Sequence, residues 1–170
     1  MIVQIRIDDR LIHGQVAMVW SKELNTPRII VANNEAAVND TVKMTLKMAT
    51  PTGIKTIVKD LEGAARLIND PQTKDMRIFG LTKNVRDALY LVKTCGDNIW
   101  EVNLANTGQF TGENVPKTRL PGNRVSLTEP EIEAARELIG ILGDKFFSLL
   151  IPSSKKETVS DLLKAVGKLE

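Results

Sequence analysis

The stretch Arg6-Ile-Asp-Asp-Arg-Leu-Ile-His-Gly-Gln-Val16 joins two different hydrophobic patterns near the start of this 170-residue chain. Over residues 1–7, apolar side chains alternate with polar ones, which is typical of a β-strand. After Gly14 the apolar residues recur at the spacing of a helix with one buried face. The change of period predicts a strand, a short loop and a helix, with His13 at the junction.

His13 is the only histidine in the sequence. The first N–H groups of a helix have no partner within the helix and carry the positive end of its dipole, so this place favours an anion. Arg10 lies three residues earlier, and a guanidinium is well shaped to bind phosphate oxygens. We therefore interpret His13 as a phosphoryl acceptor, and its phosphate-binding groups as Arg10 and the backbone N–H groups of Gly14 and Gln15.

The same residues also allow plainer roles. A lone histidine can be an acid–base group or a solvated structural residue, and Arg10 can form a simple ion pair with Asp8 or Asp9. We assign Asp9 as the third candidate catalytic residue, which would fix the imidazole tautomer or hold the loop backbone. Asp8 is equally well placed for that role, and the sequence leaves the division between the two carboxylates open.

Strand-like runs alternate with helical patterns along the rest of the chain, which predicts an α/β fold. We expect a single domain over residues 1–170, with one open, mainly parallel seven-stranded sheet and helices on both faces. In such sheets ligands bind beyond the carboxyl ends of the strands, where the His13 loop begins. The predicted strands span residues 1–7, 28–32, 54–58, 76–81, 99–104, 124–127 and 145–151.

Helix starts and buried helix faces can also be predicted. Asp60 and Asn84 are expected N-caps, and Thr128-Glu-Pro-Glu131 has the spacing of a capping box. The last helix is predicted to open at residues 154–157, and a long loop is predicted over residues 105–123. The helix after Asn33-Asn34 is expected to bury one face, formed by Val38, Val42, Leu46 and Ala49.

The composition excludes several function classes. The net charge of +2 and the 4% aromatic content give no support for a nucleic-acid partner. The single cysteine, Cys95, rules out an internal disulfide, and no apolar run is long enough to cross a membrane, so we expect a cytoplasmic protein. Neither a G-x-G dinucleotide motif nor a G-x-x-x-x-G-K-[S/T] phosphate loop occurs, and one histidine with one cysteine cannot form an ordinary zinc site.

The stretch Arg6–Val16 resembles the active-site signature of the IIB components of the mannose/fructose/sorbose family of the bacterial phosphoenolpyruvate-dependent sugar phosphotransferase system. Three further stretches resemble the same family: Arg28-Ile-Ile-Val31, Asp40-Thr-Val-Lys43 and Ala49-Thr-Pro-Thr-Gly-Ile54. The resemblance covers nearly the whole chain, although it thins after about Leu104.

This resemblance implies a specific reaction. His13 would accept a phosphoryl group on Nδ1 from the phosphohistidine of a IIA component, and pass it to a sugar bound by the membrane IIC and IID components. The protein would be cytoplasmic, peripherally associated with those components, and without a metal or organic cofactor. Lys43 would meet the acidic surface of IIA, although a solvated helix lysine is the alternative. The oligomeric state stays open, a homo-oligomer included.

The chain departs from the family pattern after its fifth strand. Where family members commonly have Asn-Val-Gly-Gly, this sequence has Asn103-Leu-Ala-Asn106 followed by Thr107-Gly108. Asn106, Thr107 and Gly108 are therefore candidates for a wall of the site. Two other functions stay open: a regulatory module that binds a phosphoprotein without passing phosphate to sugar, and a binding protein for small anions.

Overall fold

The computed structural model describes residues 1–109 and 114–170, which form a seven-stranded sheet and a separate two-stranded sheet. The strands are β1 Ile2–Asp8, β2 Arg28–Ala32, β3 Lys55–Lys59, β4 Ile78–Thr82, β5 Val102–Asn106, β6 Thr118–Arg119, β7 Ser126–Leu127, β8 Phe146–Ser148 and β9 Glu157–Thr158. The helices are α1 Gly14–Glu23, α2 Asn34–Ala37, α3 Asp40–Met48, α4 Leu61–Asn69, α5 Val85–Cys95, α6 Glu129–Leu142 and α7 Val159–Ala165.

The order of the large sheet is β3-β2-β4-β1-β5-β8-β9. All neighbouring strands in it are parallel except β8 and β9, which are antiparallel. The predicted α/β class with a mainly parallel seven-stranded sheet is therefore confirmed. β1 lies in the interior of the sheet between β4 and β5, so its carboxyl end is surrounded by the loops of its neighbours.

Helices cover both faces of the sheet and form two cores. Side chains of α1, α2 and α3 pack on one face, in a cluster that contains Trp20 and Phe79. The larger core, on the opposite face, is formed with α4, α5, α6 and α7. Ile5 and Ile7 of β1 belong to this larger core, whereas Arg6 lies beneath the Trp20 ring on the α1 face. Because side chains alternate along a strand, Asp8 follows Arg6 onto the α1 face.

The prediction of a sixth sheet strand over residues 124–127 was wrong. Ser126–Leu127 form the strand, which pairs with Thr118–Arg119 in the separate antiparallel sheet, and Val125 makes a single bridge to Thr107. The large sheet is completed instead by β9, which lies where the last helix was predicted to open. That helix begins at Val159, with Thr158 as its N-cap. Positions 110–113 of the predicted long loop lie outside the described residues.

The predicted helix caps had mixed outcomes. Asp60 and Asn84 are confirmed, since their side chains accept hydrogen bonds from the backbone N–H groups of Gly63 and Asp87. The prediction of a capping box was wrong. Thr128 makes no side-chain cap bond, and the Glu131 carboxylate accepts a hydrogen bond from the N–H of Val85 instead.

The predicted buried face of the helix after Asn33-Asn34 was also only partly right. Leu46 is buried, but Val38 is 85% exposed and Val42 is also exposed. In the part of the chain that the structure describes, no helix has the length and apolar character needed to cross a bilayer.

Candidate functional site

The loop that follows β1 is a tight turn anchored in the core. The N–H of Leu11 donates to the carbonyl of Asp8 at 2.9 Å, and Leu11 adopts a left-handed φ of +58°. The Leu11 and Ile12 side chains are buried in the α1-face core, whereas His13 is exposed. The buried pair fixes the loop, so that His13 is held at the surface on a backbone of restricted freedom.

His13 is the N-cap residue of α1, although its side chain makes no cap hydrogen bond. Its carbonyl accepts the N–H groups of Val16 at 2.9 Å and Ala17 at 3.2 Å. The N–H groups of Gly14 and Gln15 have no partner among residues 1–109 and 114–170. Gly14 has a φ of +26°, a conformation that L-residues rarely adopt. The helix start thus carries two unpaired donors beside the imidazole, which suits an anion.

Asp8 is held by two arginines. Its side chain is 1% exposed, and it accepts hydrogen bonds of 3.0 Å from the backbone N–H, Nε and Nη2 of Arg10. Arg6 Nε lies 3.6 Å from Asp8 Oδ2, the oxygen that also accepts from Arg10 Nη2. The hydrogen bonds that Arg10 donates to Asp8 raise the pKa of Arg10, whose side chain is 34% exposed. The structure therefore gives Asp8 the ion-pairing role that the sequence left undecided.

Asp9 is attached to the neighbouring strand β5. Its carboxylate accepts from Asn106 Nδ2 at 3.0 Å and from the N–H of Gln109 at 3.2 Å, and its N–H donates to the Asn106 carbonyl. Burial raises the pKa of Asp9, with a smaller contribution from Asp8. Within the described residues, neither carboxylate is hydrogen-bonded to the His13 ring.

The residues at the end of β5 and just after it lie beside Asp9. Thr107 Oγ1 donates to the carbonyl of Lys83 at 3.0 Å, and the Thr107 backbone pairs with Val125. Gly108 has a φ of +88°, and a Cβ there would overlap the carbonyl oxygen of Ser126. Asp9, Thr107 and Gly108 line one side of a polar cleft of about 500 Å³ at the carboxyl ends of the strands.

Lys43 lies at a different place. It is half-buried on α3 and lines a groove with Lys59 and Arg66. None of the residues of the His13 loop contributes to that groove. His13, Gly14 and Gln15 lie together at the start of α1, and Arg10 is paired with Asp8 in the loop before it. Asp9 is bonded to Asn106 and Gln109, and it lines the cleft with Thr107 and Gly108, whereas His13 does not line that cleft and Lys43 lines another groove.

The sequence did not assign Arg6 a role in the site. Its guanidinium is fully buried, lies 5.7 Å from the Trp20 ring centre, and donates to the carbonyls of Leu149 and Leu150. The alternation of side chains along β1 could have predicted that Arg6 is buried, because it places Arg6 at an inward position of a buried strand. Within the described residues, no cluster of three or more histidine, cysteine or acidic side chains could hold a metal ion.

Comparison with known proteins identifies the family of this fold and loop. Residues 2–170 match the family described as the sorbose subfamily IIB component of the PTS, the sugar phosphotransferase system. The chain belongs to this IIB family. It is therefore a transferase component of a sugar-transport system, as the resemblance implied.

Several members of the IIB family are close to this chain. A probable phosphotransferase enzyme IIB component of Streptococcus pyogenes serotype M6 is 43% identical over 164 residues, which is 96% of this chain and 99% of that protein. The mannose-specific EIIAB component of Escherichia coli K12 is 35% identical over 96% of this chain but 48% of its own length. The crystal structure of the IIBSor domain of the Klebsiella pneumoniae sorbose permease superposes with a TM-score of 0.85, at 33% identity and 97% coverage of both chains.

Proposed function

We propose that this IIB component carries a phosphoryl group on Nδ1 of His13. It takes the group from the phosphohistidine of a IIA component and passes it to a sugar bound by the membrane IIC and IID components. The observation that carries the proposal is the exposed His13 at the start of α1, next to two unpaired N–H groups, with Arg10 three residues earlier in the same loop. The protein acts in the cytoplasm, at the surface of the membrane components.

The chemistry needs a nucleophile, charge neutralisation and correct positioning. The neutral imidazole nitrogen of His13 forms a new N–P bond while the N–P bond of the donor breaks, and the donor imidazole leaves with the electron pair of that bond. The N–H groups of Gly14 and Gln15 bind phosphoryl oxygens. Arg10 moves one of its two side-chain N–H donors from Asp8 to a phosphoryl oxygen. Arg6 remains paired with Asp8 during this change.

The donor is proposed to dock on the surface around His13. On α1, Met18 is 51% exposed and Val19 is 41% exposed, although both are apolar. Exposed apolar side chains grouped near a reactive residue suit a protein partner. A relative named EIIAB, to which this chain aligns over 48% of the length, supports a IIA component as that partner. Lys43 lines a separate groove on α3 and is kept as a proposed contact with the partner.

A labelling experiment tests the proposal. With phosphoenolpyruvate and the upstream carriers including IIA, the wild-type protein should acquire an acid-labile, base-stable phosphate. His13→Ala should acquire none, while Lys22→Ala, an exposed change on the same helix, should label normally. Because the chain has one histidine, label that persists in His13→Ala would refute the assignment.

The final acceptor is tested separately. Labelled protein is mixed with membranes that contain the IIC and IID components and the sugar, and sugar phosphate is measured. Formation of sugar phosphate supports the complete reaction. A protein that is labelled on His13 and yields no sugar phosphate with a range of such membranes would be the regulatory module instead.

A further inference from the structure

Three arginines meet at the carboxyl end of the sheet, and we call Arg6, Arg10 and Arg124 the arginine cluster. Arg6 Nη1 donates to the carbonyls of Leu149 at 3.4 Å and Leu150 at 3.2 Å. Arg124 Nη2 lies 3.4 Å from Ser148 Oγ. Since residues 148–150 are consecutive, the guanidiniums of Arg6 and Arg124 are held against the same short segment after β8.

The arginine cluster has more positive charge than its carboxylate partner neutralises. Among residues 1–109 and 114–170, Asp8 is the one carboxylate within ion-pair distance of these guanidiniums, and it pairs with Arg10 and Arg6. Arg124 forms no ion pair within the same residues. Asp9 is bound to Asn106 and Gln109 instead. An anion at this place would therefore be attracted by the cluster as a whole.

Several donors of the cluster are buried without an acceptor. Arg6, 1% exposed, has no hydrogen-bond partner for Nε and Nη2, and Arg124 has none for Nε, within the described residues. Burial lowers the pKa of Arg6 to about 10, and Arg10 and Arg124 add to the decrease, so Arg6 still carries its charge at neutral pH. A buried, charged donor without an acceptor is costly, which makes Arg6 Nη2 and Arg124 Nε natural positions for the oxygens of a bound anion. Arg6 Nε already lies 3.6 Å from Asp8 Oδ2.

We propose that the arginine cluster is a binding site for a tetrahedral oxyanion and that Arg124 is a phosphoryl-binding residue of the IIB reaction. The second part rests on the proposed function, since the oxyanion is then the phosphoryl group of His13. When the phosphoryl group arrives, Arg124 gives up its long bond to Ser148 and donates to a phosphoryl oxygen. Arg10 gives up one of its bonds to Asp8 and donates to a second phosphoryl oxygen. Asp8 stays in place through Arg6 and the backbone N–H of Arg10.

The first test uses the unphosphorylated wild-type protein and inorganic phosphate. The arginine Nε–H signals are followed by NMR during a phosphate titration, with chloride added to keep the ionic strength constant. Saturable shifts of the signals of Arg6, Arg10 and Arg124 are expected, without a shift of Arg119, which is exposed on β6. Shifts that do not saturate, or that are equal at Arg119, would mean an adventitious ion only and would overturn the proposal.

The second test compares Arg124→Gln with Arg119→Gln, an exposed arginine five residues earlier. Loss of one charge-assisted bond should weaken phosphate binding and slow phosphoryl transfer from IIA about tenfold in Arg124→Gln, with Arg119→Gln unchanged. Circular dichroism and the urea midpoint of each variant establish that it is folded. If Arg124→Gln does not fold, the proposal is accepted or rejected on the shift of the Arg124 signal in the titration of the wild-type protein.

The outcomes separate the two proposals. A folded Arg124→Gln that transfers phosphate and binds it as well as the wild type would overturn the role of Arg124, while leaving phosphorylation of His13 intact. A wild-type protein that binds phosphate through the cluster but is never labelled would support the oxyanion site and refute the proposed function.

Discussion

Removal of the Asp8 carboxylate should be among the most destabilising changes in the His13 loop. Asp8 is buried and accepts three hydrogen bonds from Arg10 as well as the ion pair with Arg6. Asp8→Ala would leave the Arg6 guanidinium buried with no carboxylate beside it. Removing one partner of a buried ion pair typically costs about 3–5 kcal/mol, so we expect a loss of that size in the free energy of unfolding. Because domains of this kind have about 5–15 kcal/mol of stability, the variant should still fold.

Urea unfolding, followed by circular dichroism, measures this effect. Arg10→Ala is the matched comparison, because Arg10 is partly exposed and its loss leaves Asp8 paired with Arg6. Its expected cost is smaller, about 1–3 kcal/mol for the hydrogen bonds that are lost. In an Arg6→Met background the cost of Asp8→Ala should fall, since the unpaired buried charge is then absent. A loss below about 1 kcal/mol for Asp8→Ala in the wild-type background would refute the reasoning.

Three further predictions concern other parts of the site and the core. Gly108→Ala should lower the free energy of unfolding by about 1–3 kcal/mol from backbone strain alone, and further through the overlap with Ser126; urea stability equal to wild type would contradict this. Burial raises the pKa of Asp9 above 3.8, so the protonated form is favoured in the folded protein and stability falls as pH rises through the folded-state value. Asp9→Asn should therefore gain stability relative to wild type between pH 3 and pH 7, and a difference that is constant with pH would argue against a raised pKa. Burial raises the pKa of Cys95 to about 11, so iodoacetamide at pH 8 should label it slowly in the native protein and rapidly in urea, whereas fast native labelling would show an accessible thiol.

Much of the fold could be predicted because its signals are local. The change from strand to helix periodicity around His13 lies within one stretch, and residues 28–32 read as a strand and are one. The strand at residues 157–158 could not be predicted, since two residues are too short to show alternation and their pairing depends on β8. Glu131 likewise had the right spacing for a capping box, but it bonds to Val85, 46 residues earlier in the chain.

The site could be predicted to the extent that it is contiguous in sequence. His13, Arg10 and the start of α1 come from one stretch, so their proximity follows from the chain itself. The partners of Asp8 and Asp9 could not be assigned, because the choice depends on Asn106 and on which face of β1 each carboxylate takes. Arg124 gave no signal, since its contact with Ser148 arises only when two distant segments pack together.

The strand order has a consequence for how copies of this protein behave toward one another. An uncovered outer strand can recruit a second sheet, and nature often blocks this with lysines or with very short outer strands. One outer strand, β3, has exposed Lys55 and Lys59 at its two ends, and the other, β9, is two residues long. Both margins of the sheet are thus poorly suited to β-type association, and replacing the two lysines with threonine should promote it.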